Sequence, residues 1–113
     1  MPFIETKTNV QISADSEARI RAALGKAIEI IRGKSERWLM LSFLDSVRMS
    51  FSGSCEPTAI IEVKIFGKAT DDEYSRLTAK ITEIISEELS IPTGRIYVKY
   101  EQTDIWGYAG SNF

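Results

Sequence analysis

The amino-acid sequence predicts one α+β domain, an α/β sandwich in which a four-stranded mixed sheet carries two helices on one face. The chain has 113 residues, 43% of them hydrophobic, which suits a single small domain with its own core. Strand and helix patterns alternate in the order strand, helix, strand, and this order occurs twice. The crossover through a helix makes the two strands of each unit parallel. Because such crossovers are right-handed, both helices are placed on the same side of the sheet.

The first unit begins with the stretch MPFIETKTNV, where apolar and polar residues alternate from Pro2 to Thr8 as in a half-buried strand. Proline is tolerated at the first residue of a strand because no ladder hydrogen bond is lost there. A helix is predicted from Ala14 to Arg32, with Ser13 as its N-cap and apolar residues three or four apart. Gly33 is placed to end this helix in the left-handed conformation.

The second strand, WLMLSFL from Trp38 to Leu44, is apolar almost throughout, which is typical of a strand buried on both faces. Because the two helices cover only one face of the sheet, the other face would be exposed to solvent in a monomer. We therefore predict a closed oligomer in which neighbouring chains cover the bare face. The alternative is a monomer whose C-terminal segment covers it.

The second unit repeats this order. Its strands, IIEVKIF from Ile60 to Phe66 and IYVKYEQ from Ile96 to Gln102, each start 58 residues after their counterparts. Between them the stretch TDDE begins a helix with Thr70 and Glu73 as a capping box, and Pro92 follows its end. We interpret residues 1–113 as a single domain with an internal pseudo-repeat, residues 2–51 and 58–108.

The composition excludes several classes of partner and chemistry. Fourteen basic and sixteen acidic residues give a net charge of −2, and this balance indicates neither a nucleic acid nor a membrane as partner. The N-terminus lacks the pattern of a signal peptide, so we expect a cytoplasmic protein. The chain has no histidine and one cysteine, Cys55, which excludes Cys/His zinc sites and imidazole-based catalysis. No metal or other cofactor is expected.

Six short stretches of the chain carry more information together, through their order and spacing, than any one of them does alone. They are MPFIETKTNV, Gly33-Lys34, MSFSGSCEP, Gly67-Lys68, RIYVKY and WGYAGSNF. In this order and spacing the chain resembles macrophage migration inhibitory factor and its D-dopachrome tautomerase relative, within the tautomerase superfamily. The resemblance covers essentially the whole sequence. It implies a homotrimer in which the sheets of three subunits form a closed barrel, and this would cover the bare face.

The resemblance also implies a cofactor-independent keto–enol tautomerase. Its proton carrier would be the amine of Pro2, exposed by removal of Met1, and such a base needs no histidine. An apolar pocket and a nearby cation, Lys34, would both disfavour the charged amine and lower its pKa. The candidate apolar walls are Phe3, Trp38, Phe66, Trp106, Tyr108 and Phe113.

The substrate implied by the resemblance is a small enolisable aromatic keto acid such as phenylpyruvate, or an analogue of dopachrome. Lys34 would hold its carboxylate or carbonyl oxygen, and Ile65 would contribute backbone contacts. Tyr97 of a neighbouring subunit would line the pocket. Each site would then lie between chains, and activity would require the trimer.

Three positions depart from the family pattern. Lys99 stands where the family has an asparagine, and this second cation could strengthen carboxylate binding, lower the Pro2 pKa further or point into solvent. Trp106 replaces a smaller aliphatic residue at the pocket rim, and Tyr108 stands where tryptophan is common. The residues after Pro57 hold no CxxC pair, so no thiol redox activity is expected.

Structural roles and a second function stand beside this interpretation. Lys34 suits the C-terminus of a helix, Tyr97 suits any strand, and the segment WGYAGSNF could be a flexible tail. The alternative function is a cytokine-type interaction protein, secreted or released without a signal peptide. It would engage a host receptor through the trimer surface and keep the pocket without a physiological substrate.

Overall fold

Four strands and two helices, in the predicted order, form most of the computed structural model, which describes residues 1–113. The elements are β1 Pro2–Thr8, α1 Ala14–Ala27, β2 Met40–Leu44, β3 Ala59–Phe66, α2 Asp71–Leu89 and β4 Ile96–Thr103, followed by a small hairpin of β5 Gly107–Tyr108 and β6 Ser111–Asn112. The sheet order is β2-β1-β3-β4, with β1–β2 and β3–β4 parallel and β1–β3 antiparallel. The predicted α+β class and mixed sheet are confirmed.

The core lies between the sheet and the two helices. Alternate residues of β1 and β3 are buried, and Ile4, Ile61 and Val63 form one cluster with Leu24 of α1 and Ile81 of α2. All five side chains are fully buried. Since burying one such side chain contributes about 1.5–3 kcal/mol, this cluster fixes which face of the sheet meets the helices.

Both predicted helix starts are present. The Ser13 hydroxyl accepts a hydrogen bond from the Ser16 amide at 3.1 Å. At α2 the capping box is complete, because the Glu73 amide donates to the Thr70 hydroxyl at 3.1 Å and the Thr70 amide donates to the Glu73 carboxylate at 2.8 Å. These bonds satisfy amides that a helix leaves unpaired at its first turn.

The prediction for the end of the first helix was wrong. The α-helical part stops at Ala27, a 3₁₀ turn covers Ile28–Ile30, and the amide of Arg32 donates to the Glu73 carboxylate at 2.8 Å instead of to a helical carbonyl. Gly33 has the predicted left-handed backbone, with φ of +83°, but lies beyond this turn and does not cap α1. The tertiary bond to α2 therefore replaces the last helical turn.

Three strand boundaries also differ from the prediction, of which one is the end of β4 at Thr103, one residue after the predicted end. A 3₁₀ turn at Glu36–Trp38 delays β2 to Met40, and β3 starts at Ala59, one residue before the predicted start. In the single chain β2 is not buried on both faces. Leu41 packs against the core, whereas Met40 is 67% exposed.

The face of the sheet away from the helices is uncovered in the single chain. One row across it consists of Ser42, Glu5, Glu62 and Lys99, and the next of Leu44, Lys7, Ile60 and Tyr97. The C-terminal hairpin does not close this face, because its aromatic contacts are with Trp38 and Phe66 near the start of β1. Neither helix is long and apolar enough to cross a lipid bilayer.

Candidate functional site

A pocket of about 460 Å³ opens where β1 begins. Its lining consists of Met1, Pro2, Phe3, Arg37, Trp38, Leu39, Met40, Trp106, Gly107 and Tyr108. Most of these residues are hydrophobic, and Arg37 carries the only charged side chain among them. A cavity of this size with an aromatic lining suits a small, largely apolar molecule.

Four aromatic rings form a continuous wall, of which Trp38 and Tyr108 line this pocket while Phe113 and Phe66 lie beyond its lining. Trp38 meets Tyr108 edge to face at 5.2 Å, Tyr108 stacks on Phe113 at 6.4 Å, and Phe113 lies 5.8 Å from Phe66. The hairpin β5–β6 brings Tyr108 and the adjoining Phe113 to the site, and the Phe113 amide donates to the Trp106 carbonyl at 2.9 Å. The structure thus brings the predicted aromatic residues together, and the C-terminal segment folds as a hairpin.

The N-terminal residue is held between the backbone of β3 and a lysine. Pro2 is buried and lies opposite Ile65 in the antiparallel pair. The Phe66 amide donates to the Met1 carbonyl at 3.1 Å, and the Lys34 ammonium donates to the Phe66 carbonyl at 2.8 Å. Lys34 therefore lies beside the amine end of the chain, as the sequence predicted.

This environment changes the chemistry of an amine. Partial burial, followed by the charge and the hydrogen bond of Lys34, together lower the pKa of the Met1 α-amino group from 8.0 to about 6. An amine with a pKa near 6 is mostly neutral at pH 7 and can accept a proton.

The backbone amide presented at this point belongs to Phe66, one residue after the predicted Ile65. The side chain of Ile65 is buried in the core. Because successive residues of a strand alternate in direction, the amide that faces the N-terminal residue and the side chain that faces the helices come from neighbouring positions.

Tyr97 and Lys99 do not line the pocket of their own chain. Both lie on β4 at the uncovered face, and Tyr97 stands opposite Ile60, toward the far end of β1 from Pro2. The Lys99 ammonium lies 3.6 Å from the Glu101 carboxylate. Tyr97 meets Phe51 edge to face at 4.9 Å.

Arg95 holds the loop that carries Phe51. Its guanidinium donates to the carbonyls of Phe51, Ser54, Glu56 and Pro57 at 2.9–3.2 Å. The loop and Tyr97 therefore form one surface that is set apart from the pocket of the same chain.

Arg37 is a pocket residue that the sequence did not reveal. It lies in the 3₁₀ turn before β2, and its guanidinium carbon is 5.0 Å from the centre of the Trp38 ring. The sequence offers no signal for it beyond adjacency to Trp38, because the position of a charged residue in a short turn follows no periodic pattern.

The chain contains no cluster of three carboxylate or thiol side chains that could hold a metal ion. Cys55 is a free, exposed thiol outside the pocket lining.

Comparison with known sequences relates this geometry to one family. The family model described as macrophage migration inhibitory factor (MIF) matches residues 1–113. Macrophage migration inhibitory factor of Xenopus laevis is 25% identical over 115 residues, which cover 100% of this chain and 99% of that protein. D-dopachrome decarboxylase of Mus musculus is 27% identical over 110 residues, which cover 94% and 90% of the two chains.

Solved structures give the same relationship. MIF2 of Leishmania major superposes with a TM-score of 0.94 at 34% identity, covering 100% of this chain and 97% of that one. The homologue of macrophage migration inhibitory factor from Prochlorococcus marinus superposes with a TM-score of 0.86 at 32% identity, covering 98% of each chain.

Proposed function

This chain belongs to the macrophage migration inhibitory factor family, and on that basis we propose that it is a cofactor-independent keto–enol tautomerase with Pro2 as its base. Family membership supports a tautomerase or cytokine-like function in general. The observation that favours the tautomerase is the environment of the N-terminal amine, an aromatic pocket with Lys34 beside it.

Removal of Met1 creates the reactive group. While Met1 is attached, the nitrogen of Pro2 is a tertiary amide without a basic lone pair. Its removal leaves a secondary amine at the pocket and frees the Phe66 amide, which otherwise donates to the Met1 carbonyl at 3.1 Å. The mature pocket then holds a base, a neutral donor and the Lys34 ammonium side by side.

The pKa of the Pro2 amine is proposed to be depressed. Burial is the main cause of the lowered pKa at Met1, and Lys34 is the second. Pro2 follows Met1 as the first residue of β1 and is itself buried. Both causes disfavour a protonated amine and leave Pro2 neutral at pH 7, ready to accept a proton.

The reaction is a proton transfer within one substrate. The Pro2 amine removes a proton from the carbon next to the carbonyl, the carbonyl oxygen gains a proton from the protonated amine directly or through water, and the substrate is then an enol and the amine neutral again. In the opposite direction the protonated amine returns a proton to that carbon as the enol hydroxyl loses its own. Lys34 and the Phe66 amide stabilise the negative charge that develops on oxygen.

The proposed substrates are small enolisable aromatic keto acids of the phenylpyruvate or dopachrome type. The cavity of about 460 Å³ and its wall of aromatic rings suit a single aromatic ring. A relative named D-dopachrome decarboxylase supports the dopachrome type. Lys34 is placed to hold the substrate carboxylate.

The active unit is proposed to be a homotrimer. The uncovered sheet face, with Tyr97 59% exposed, supports burial against neighbouring chains. Since Tyr97 and Lys99 lie away from Pro2 of their own chain, they are proposed to reach the pocket of a neighbour. Residues 1–113 form one domain in this proposal, and the shared β-α-β order of residues 2–51 and 58–108 supports the pseudo-repeat.

Substituting the proposed base tests the function directly. We expect Pro2→Ala to lower kcat/KM for phenylpyruvate by about a hundredfold or more, because the secondary amine supplies general-base catalysis. Intact mass and turnover are measured on the same untagged sample, and Met1 should be absent from active protein. Pro92→Ala, in the exposed segment after α2, is the matched control.

Full activity of Pro2→Ala, or full activity of protein that retains Met1, would contradict the proposal. Absence of turnover in protein that has lost Met1 would instead favour the cytokine-type interaction function.

A further inference from the structure

We propose that Arg37 makes this pocket selective for small aromatic acids that carry a second anionic group, at the end of the molecule away from Pro2. The inference deepens the proposed function and rests on it, since it assumes that the acid enters with its first carboxylate toward Lys34. It adds a residue that recognises the distal end of the ligand.

Arg37 has no acidic partner within the chain. It forms no ion pair with a carboxylate and no side-chain hydrogen bond, whereas Arg19, Arg21 and Arg76 are all paired. The adjacent carboxylate of Glu36 does not neutralise it, because that side chain lies over Gly25 of α1. The guanidinium therefore presents an uncompensated positive charge at the pocket.

The position of this charge is set by an aromatic ring. The guanidinium carbon lies 5.0 Å from the centre of the Trp38 ring, a cation–π distance, and Trp38 itself lines the pocket. Stacking on the ring restricts the long side chain before any ligand arrives. Less conformational entropy is then lost when the guanidinium binds an anion.

The two cations contact different members of the aromatic wall. Lys34 is bonded to the backbone of Phe66, and Arg37 lies over Trp38. The rings of Phe113 and Tyr108 join Phe66 to Trp38. An aromatic acid held among these rings, with one acidic group toward Lys34 and the other toward Arg37, matches this arrangement of charges.

A planar guanidinium favours a carboxylate as the distal group. Its parallel N–H donors bind both oxygens of a carboxylate, which gives a stronger and more directional contact than a point charge. A phenol or a methyl group at the same place would gain little from Arg37. The substrate class is therefore an aromatic keto acid with a second carboxylate on the ring.

Ligand binding tests this inference apart from turnover. The probes are 3-(4-carboxyphenyl)propanoate and 3-(4-methylphenyl)propanoate, which differ in the charge of the distal group. Quenching of tryptophan fluorescence reports binding, because both tryptophans of the chain, Trp38 and Trp106, line the pocket. In protein that has lost Met1, we expect the dicarboxylate to bind about fivefold more tightly than the methyl compound, as a partly exposed ion pair allows.

Variants assign the preference to Arg37. Arg37→Gln should reduce the fivefold ratio to about one, and Arg37→Lys should keep part of it because the charge is retained. Arg21→Gln, which removes an arginine on α1 outside the pocket, is the matched control and should keep the full ratio. The preference of the wild-type protein should also decline as salt is added.

A ratio near one in the wild-type protein, an unchanged ratio in Arg37→Gln, or no binding of either compound would overturn the inference. Phenylpyruvate turnover on the same samples tests the proposed function separately. Selective binding without turnover would support the role of Arg37 in binding and contradict the tautomerase function. Turnover without selective binding would support the tautomerase function and contradict the role of Arg37.

Discussion

Lys34 is, after Pro2, the residue on which the proposed proton chemistry depends most. Its ammonium donates to the Phe66 carbonyl at 2.8 Å and helps burial to lower the pKa of the N-terminal amine. A lysine after a helix is common for purely local reasons. In this structure it does not interact with the end of α1 but reaches the strand that holds the N-terminus.

Removing the charge of Lys34 should change the pH profile. In Lys34→Gln the amine of Pro2 keeps its burial and loses its positive neighbour, so its pKa rises and a larger fraction is protonated at pH 7. We expect the acid limb of kcat/KM against pH to move to higher pH and activity at pH 7 to fall about tenfold, since substrate binding also weakens. Steady-state kinetics from about pH 5 to pH 9 measure this.

Lys68→Gln removes an equivalent charge outside the pocket and should leave the profile in place. An unmoved acid limb in Lys34→Gln would show that Lys34 does not act on the amine.

Sequence patterns predicted some residues of the site better than others. The aromatic wall and Lys34 were predicted by the family resemblance, and the structure brings them together. The bond from the Phe66 amide to Met1 was not predicted, because a strand pattern fixes side-chain alternation but not which amide meets the N-terminus. Arg37 could not be predicted, since its place depends on a turn that shortens β2.

The junction between the two helices joins elements that sequence patterns predict independently of each other. Glu73 at the start of α2 accepts hydrogen bonds from the Thr70 amide and from the Arg32 amide, which lies just after the 3₁₀ turn that ends α1. The capping box was predicted because its partners lie three residues apart. The bond to Arg32, which shortens α1, joins residues 41 positions apart and has no local signal.

This junction should make stability depend on pH. The two backbone amides that donate to Glu73 lower the pKa of its carboxyl in the folded protein. A depressed folded-state pKa contributes stability above the unfolded value of 4.5, and this contribution is lost as the pH falls through the folded pKa. We therefore expect Glu73→Gln to flatten the decrease in stability below about pH 4.5.

Urea denaturation at several pH values measures this dependence. Glu87→Gln removes an exposed carboxylate for which no backbone hydrogen bond is present, and it should keep the wild-type slope. Equal slopes in Glu73→Gln and the wild-type protein would contradict the assigned role.

At the scale of the whole molecule, one face of the sheet is uncovered, and its residues bear on how neighbouring chains could cover it. It combines apolar residues such as Met40 and Tyr97 with a central row in which Glu5 lies directly opposite Glu62. Like charges in a cross-strand pair are unfavourable, so this row does not suit a water-free apolar interface. The layer architecture could be predicted from the sequence, but the arrangement of neighbours could not, because one chain fixes only its own strand order.

Mixed trimers test whether each site combines two chains. Pro2→Ala lacks the base, and Tyr97→Ala is expected to lack part of the neighbouring wall. If the chains are unfolded together and refolded at equal amounts, about a quarter of the sites should regain both residues from different subunits, and activity should recover accordingly. Size-exclusion chromatography with light scattering should give three times the chain mass of 12.7 kDa.

Refolding each variant alone is the control. Activity of the mixture equal to the average of the two parents would place the complete site within one chain, and a mass of 12.7 kDa would contradict the trimer.

Met1 and Phe113 both adjoin Phe66, because the Met1 carbonyl accepts a hydrogen bond from the Phe66 amide and the ring of Phe113 lies 5.8 Å from the ring of Phe66. An affinity tag before Pro2 would keep its nitrogen in a peptide bond, and a tag after Phe113 would begin beside Phe66, close to the start of β1. If Pro2 is the base, protein with an uncleaved N-terminal tag should therefore show no turnover in an activity screen. Reporter groups belong on the outer surface of the helices instead.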